Sequence, residues 1–278
     1  MPYFQSHDGT SLYYRDHGDG PAIVLLPGQG QSGRVWQHLM ARLTALGYRC
    51  VALDRRGHGR SDDPGRGFTY DSLADDVAGL LTHLDLRDVS LAGHSMGGAE
   101  AVRYLTRHGS GRVSRLVLAS ASLPFMKRTD DNPHGADRSV FEAVWAAWRT
   151  DWPRWVTENA PAFAGAGLPG GEPSASLVSA GIRDMDQTSL LALLQVSQSV
   201  VDTDFRPELA RLDVPTLVLH GTHDASNPLD STGRQTARLV PGAELRVYQN
   251  APHGLVVTHL DRLAADIAGF AAVQPART

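Results

Sequence analysis

One cysteine in 278 residues excludes an intramolecular disulfide, so the chain asks for no oxidising compartment. Cys50 lies in the apolar run Tyr48-Arg49-Cys50-Val51-Ala52-Leu53 and is expected as a buried strand residue rather than a reactive thiol. Basic clusters are also missing. Lys and Arg number 26 against 30 Asp and Glu, a net charge of −4, so no nucleic-acid partner is expected. No apolar run approaches the roughly 20 residues that span a bilayer, which argues against a membrane partner. Residues 1–9 have neither a basic start nor an apolar core, so they do not form a signal peptide, and the expected location is cytoplasmic. There is no HExxH, no paired Cys/His, no acidic cluster and no GxGxxG after a strand, so neither a metal nor a cofactor is expected. What remains is 42% hydrophobic and 20% charged, the composition of a globular protein, at a length that fits one domain with a sizeable insertion.

Short apolar runs alternate with longer amphipathic stretches, the pattern of a mostly parallel sheet covered by helices. Strands are predicted at Ala22–Leu26, Arg49–Leu53, Val89–Ala92, Leu116–Ala119, Thr216–His220 and Glu244–Tyr248, and their continuous Val, Leu and Ala content implies burial on both faces. Tyr3–Gln5 and Ser11–Asp16 flank the turn dipeptide Asp8-Gly9, so an antiparallel pair should open the sheet. Val35–Leu46, Tyr70–Leu84, Met96–Arg107 and His259–Ala272 carry helical apolar spacing, with Gly47 as a stop and Tyr70-Asp71-Ser72 as caps.

The alternation breaks after Ala119. Residues 121–213 hold no strong strand, and Trp145, Trp148, Trp152 and Trp155 recur as on one helix face. Pro153 forbids a single straight helix, and 164–173 reads as a flexible Gly/Pro connector. The expected organisation is a first core segment at 1–120, a helical cap at 121–213 and a second core segment at 214–278. The tryptophans are expected to hold the cap to the core, with Trp145 and Trp148 as candidate apolar lining of a substrate pocket.

Gly93-His94-Ser95-Met96-Gly97-Gly98 follows one predicted strand directly and opens a predicted helix. This is the Gly-x-Ser-x-Gly nucleophile elbow in its required setting of strand, tight turn and helix. A serine hydroxyl attacks only when a base removes its proton. Of the twelve histidines, His253 lies just after the last strand, at the carboxyl edge where open α/β sheets bind ligands; His259 is the competitor. The base in turn needs an acid to fix its tautomer. Asp224 follows the strand Thr216–His220 at the same edge, with Asp202, Asp204 and Asp230 as competitors. The chain order Ser95, Asp224, His253 is that of one hydrolase fold class and not of other serine hydrolases. The backbone amides of Met96 and Gln29 are the candidate oxyanion donors. Asp54-Arg55-Arg56-Gly57-His58-Gly59-Arg60-Ser61 lacks the Lys-Ser/Thr pair of a phosphate loop and is expected to be a structural turn.

The segments 27–36, 54–61, 93–98, 213–224 and 241–253 resemble the α/β-hydrolase superfamily. Within it they are similar to the bacterial arylesterases, the cofactor-free (non-haem) haloperoxidases, which include perhydrolases and lactonases. The resemblance fades only in the cap. It implies an α/β fold with a mostly parallel eight-stranded sheet flanked by helices, and a cap inserted between strands six and seven. It also implies a triad on Ser95, His253 and Asp224, with oxyanion amides on Gln29 and Met96. Members usually have His-Gly where Pro27-Gly28 stands, and commonly an aromatic residue at Gln29; perhydrolases often have Pro where Gly30 stands. The missing Pro disfavours efficient peracid formation and leaves esterase or lactonase activity less affected. The expected reaction is hydrolysis of a small, mostly apolar carboxylic ester or lactone through an acyl-enzyme on Ser95. The same triad also serves acyltransferases, lyases and cofactor-free oxygenases, and a ligand-binding receptor is a third alternative.

Overall fold

The computed structural model describes residues 2–169 and 173–272. Of the expected connector 164–173, residues 170–172 lie outside the described residues, as do 273–278 of the second core segment. The strands are β1 (Tyr3–Gln5), β2 (Ser11–His17), β3 (Ala22–Leu26), β4 (Arg49–Leu53), β5 (Val89–His94), β6 (Val113–Ala119), β7 (Thr216–Gly221) and β8 (Glu244–Tyr248). They form one eight-stranded sheet in the order β1-β2-β4-β3-β5-β6-β7-β8. β1 and β2 pair antiparallel across the turn at Asp8-Gly9, β2 runs antiparallel to β4, and every later pairing is parallel.

The helices are α1 (Gln37–Ala45), α2 (Tyr70–His83), α3 (Met96–His108), α4 (Arg138–Phe163), α5 (Ala175–Met185), α6 (Leu190–Asp202), α7 (Arg206–Leu209), α8 (Gly233–Leu239), α9 (Leu255–Thr258) and α10 (Leu260–Ala272). A 3-10 turn at Gly33–Trp36 precedes α1, because the Ser32 hydroxyl accepts from the Arg34 amide and tightens the entry. Thr69 rather than the residues after it caps α2, its Oγ1 accepting from the Ser72 amide at 3.4 Å.

Successive side chains of a strand point to opposite faces, and both faces are covered here. Val24 and Leu26 of β3 pack with α2 and α3, while Ile23 and Leu25 pack with α1 and α10. Cys50 lies in the second layer, and its burial pushes the thiol pKa up to about 12, so it carries no thiolate chemistry. Among the described residues no helix is long and apolar enough to cross a membrane.

The helices α4 to α6 between β6 and β7 carry an apolar cluster of their own, built from Trp145, Trp148, Trp152, Val156, Leu193 and Val201. α4 breaks where the sequence demands. Asp151 is extended (φ −160°, ψ 82°) and its Oδ1 accepts from the Arg154 amide at 3.0 Å, so a capped second helix restarts with Pro153 in its first turn. The last stretch of the expected cap packs differently. Phe205, Leu209 and Leu212 join the main core, and Glu208 pairs with Arg103 of α3 at 2.8 Å.

The turn after β4 is a knot of buried charge. Arg55 bonds Glu100 of α3 at 2.6 Å with both side chains 1% exposed, and Arg56 bonds Asp76 of α2 at 2.7 Å. His58 is fully enclosed, its Nδ1 donating to the Arg56 carbonyl at 2.9 Å, and burial followed by the nearby Arg55 charge lowers its pKa to about 3.

Candidate active site

β5 enters the turn at His94, and Ser95 takes φ 54°, ψ −122°, a conformation that L-residues hold only under constraint. The constraint is close packing. A Cβ on Gly93 would lie 2.2 Å from the Gly97 carbonyl oxygen, and one on Gly97 would lie 2.5 Å from that of Leu26. The two glycines therefore let strand, helix and the loop after β3 approach to backbone contact, which the elbow requires. Ser95 donates its own amide to Ala119 O (3.0 Å), and its carbonyl accepts from the Ser122 amide (3.1 Å), so this residue is fastened to the end of β6. α3 begins at Met96 with its positive end at the Ser95 hydroxyl, and no side chain caps it.

Ser95, Asp224 and His253 are brought together. His253 Nε2 lies 3.1 Å from Ser95 Oγ, and His253 Nδ1 lies 2.8 Å from Asp224 Oδ2. All three are buried, with Ser95 8% exposed. The other Asp224 oxygen, Oδ1, accepts from the backbone amides of Ser226 (3.0 Å) and Asn227 (2.7 Å). Burial would raise the Asp224 pKa. The His253 charge and the hydrogen bonds from His220 and His253 outweigh it and hold the carboxyl well below the usual range. His220 stands 3.4 Å from Asp224 Oδ2 and donates to the Asn227 carbonyl at 2.7 Å.

The competing residues are elsewhere. His259 packs against the Tyr248 ring, Asp202 pairs with Lys127, Asp204 with Arg206 and Asp230 with Arg234.

The loop after β3, which carries Gln29, begins against the elbow: a Cβ on Gly97 would lie 2.5 Å from Leu26 O and 2.6 Å from Pro27 O. Arg55 holds that loop from below, donating to Pro27 O (2.7 Å) and Gly28 O (3.2 Å). The turn read as structural thus shapes the site through a buried guanidinium. Gln29 Nε2 is buried without a partner within the protein. Gly30 has φ +72° and faces the cap: Met185, Leu193 and Trp152 each lie within 3.6 Å of where its Cβ would stand.

Trp145 and Trp148 are buried in the cap cluster. Trp145 donates to Ser197 Oγ at 2.7 Å, and Trp148 packs edge-on against Trp152. Trp152 is the tryptophan that borders Gly30 in the loop after β3. A small groove of about 70 Å³ lies between the 31–38 segment and α4–α5, lined by Arg34, His38, Leu177, Met185 and Phe163. Phe163 also packs its ring 5.7 Å from that of His253. Among the described residues no cluster of three His, Cys, Asp or Glu side chains is arranged to hold a metal ion.

Several neighbours escaped the sequence reading: Ser122, which is 3.2 Å from Ser95 Oγ; Asn227; His220; and His94. His94 packs against His253, donating Nε2–H to the His253 carbonyl at 3.0 Å, with Nδ1 buried and unpartnered. Burial, then the charge of His253, lowers its pKa to about 3. His58 and His94 stay neutral in the folded protein while both would be protonated in the unfolded chain below the ordinary value near 6.5. The unfolded state takes up the protons, so stability is lost as pH falls below 6.5, by about 4 kcal/mol for the pair between pH 7 and 5. Urea unfolding at the two pH values measures this; equal stability at both would contradict the neutral pair.

Residues 23–266 match the model of the alpha/beta hydrolase family. The chain is 39% identical to the non-heme chloroperoxidase CPO-A1 of Kitasatospora aureofaciens, across 94% of this chain and 95% of that one. It is 32% identical to the bifunctional esterase/perhydrolase DCH of Acinetobacter calcoaceticus, across 97% and 99%. The crystal structure of a bromoperoxidase from Bacillus anthracis superposes with a TM-score of 0.92 at 32% identity, covering 96% of this chain and 99% of that one.

Proposed function

Because the chain belongs to the alpha/beta hydrolase family, we propose that it cleaves a carboxylic ester or lactone through an acyl-enzyme on Ser95. One observation carries this reading: the continuous hydrogen-bonded line from Asp224 through His253 to Ser95 at the start of α3. Asp224 takes the Nδ1–H of His253, which leaves the Nε2 lone pair facing the Ser95 hydroxyl. The proton passes to Nε2 as Oγ bonds to the acyl carbon, and the carbonyl electron pair moves onto oxygen. The amides of Met96 and Gln29 receive that oxyanion, each such donor contributing roughly a hundred- to a thousand-fold in rate. His253 then protonates the leaving alkoxide, and a water molecule repeats the sequence to release the acid. The ionised Asp224 stabilises the imidazolium at each step.

Trp152, Met185 and Leu193 supply an apolar wall beside the oxyanion loop, suited to an apolar acyl group. The unpartnered Gln29 Nε2 adds a donor for a further substrate oxygen, such as that of a lactone or an alkoxy group. Gly30 at φ +72° keeps a backbone shape that proline, fixed near −65°, cannot adopt, so peracid formation is expected to be minor beside hydrolysis.

A panel of p-nitrophenyl esters of graded chain length, with simple lactones, tests the reading. Turnover of several members, abolished by one equivalent of a fluorophosphonate, is expected. No hydrolysis of any member together with no fluorophosphonate labelling would overturn it.

A further inference from the structure

A second hydroxyl sits against the nucleophile. Ser122 is 7% exposed, follows β6, and places its Oγ 3.2 Å from Ser95 Oγ, which is also 3.1 Å from His253 Nε2. The direction of each hydrogen bond here is fixed by its neighbours. The Ser120 carbonyl can only accept, so the group facing it at 2.8 Å is the Asn227 amide nitrogen. That same nitrogen, Nδ2, therefore donates to Ser122 Oγ at 3.1 Å. At the other end, the Ser95 proton is directed to His253 Nε2, because Asp224 holds the proton on Nδ1. The Ser122 hydroxyl then has one proton left and, among the described residues, one acceptor for it, the lone pairs of Ser95 Oγ. Asn227 also donates its backbone amide to Asp224 at 2.7 Å, so a single buried residue holds both the acid and the donor to the nucleophile.

We infer that Ser122 is a further catalytic residue, donating a hydrogen bond to Ser95 Oγ whenever that oxygen carries negative charge. The inference rests on the acyl-enzyme reading above. In acylation the Ser95 proton moves to His253 as Oγ attacks, and the Ser122 bond strengthens as charge gathers on Oγ. The Ser122 proton itself is not transferred. In the acyl-enzyme Oγ is an ester oxygen and a weak acceptor. It regains charge when the second tetrahedral intermediate collapses, and Ser122 again donates as the Oγ–acyl bond breaks and His253 returns the proton. Both half-reactions gain, so kcat changes while KM is nearly constant.

Three variants assayed on one p-nitrophenyl ester test this. Ser122→Ala is expected to lower kcat ten- to a hundredfold, the effect of one hydrogen bond to a charged oxygen, with KM within about twofold of wild type. Ser122→Cys, similar in size but a weak donor, should fall with the alanine variant, and Ser122→Thr should restore kcat to near the wild-type value. Wild-type kcat in Ser122→Ala, equal losses in alanine and threonine, or a rise in KM with kcat unmoved would each overturn the role. Fluorophosphonate labelling of the wild-type protein separates this from the underlying reading. No label on Ser95 removes the acyl-enzyme itself, whereas normal labelling with unchanged turnover in Ser122→Ala removes Ser122 alone.

Discussion

Ser95→Ala is expected to lower kcat for ester hydrolysis by roughly a million-fold, the loss seen when a triad that acts as a unit is broken. The substitution removes one oxygen atom from a site that needs no side chain for its shape. The elbow is built by backbone approach at Gly93 and Gly97, and Ser95 is tied to Ala119 and Ser122 through its own amide and carbonyl. The variant should therefore unfold with an unchanged or slightly lowered midpoint, since the backbone fastening stays while the buried Ser122 hydroxyl and His253 Nε2 lose a partner. Substrate affinity should survive too, because the loop after β3 is held by Arg55 and not by Ser95. Steady-state kinetics beside a urea titration separates the two effects. A residual kcat within tenfold of wild type would mean that another group attacks.

Asp224→Asn is expected to lower kcat about ten-thousand-fold, as happens when the base of such a triad is left in the wrong tautomer. The geometry leaves the amide no choice. Oδ1 accepts two backbone N–H bonds, from Ser226 and Asn227, so the oxygen of an asparagine must remain there. Its NH2 then faces His253 Nδ1, which has to become an acceptor, and the imidazole proton moves to Nε2. A protonated Nε2 cannot take the Ser95 proton. Asp224→Ala should be less uniform in its effect, because water can enter the space and accept from Nδ1. Near wild-type turnover in Asp224→Asn would show that the carboxylate is not the orienting acid. An NMR measurement of the His253 tautomer in the variant gives the same answer without substrate.

The sheet was legible because burial on both faces leaves continuous apolar runs, and β3, β4 and β8 fall on the predicted residues. The elbow was legible because backbone approach below 3 Å permits only glycine, so the physics is written in residue identity. Asp224 and His253 could be placed because each follows a strand at one edge of the sheet, and they come together in space. Ser122 and Asn227 were not legible. Small polar residues occur in any loop, and only the folded arrangement shows that one nitrogen bridges Ser120 and Ser122. The sequence around Arg55 predicts a structural turn, but its spacing gives no sign that Arg55 holds the loop carrying Gln29. The tryptophan periodicity predicted a shared helix face but not its neighbour. Trp145 and Trp148 pack within the cap, whereas Trp152 reaches Gly30. Phe205, Leu209 and Leu212 have the spacing of any amphipathic turn, and only the folded packing shows that they join the main core.

The central claim is that Ser95 is the nucleophile, and stoichiometric labelling with a fluorophosphonate followed by peptide mass mapping tests it most directly. The account predicts one label per chain, on the peptide that carries Ser95, with esterase activity falling in step and no labelling of Ser95→Ala. A label on any other residue, or full inhibition with Ser95 unmodified, would contradict it.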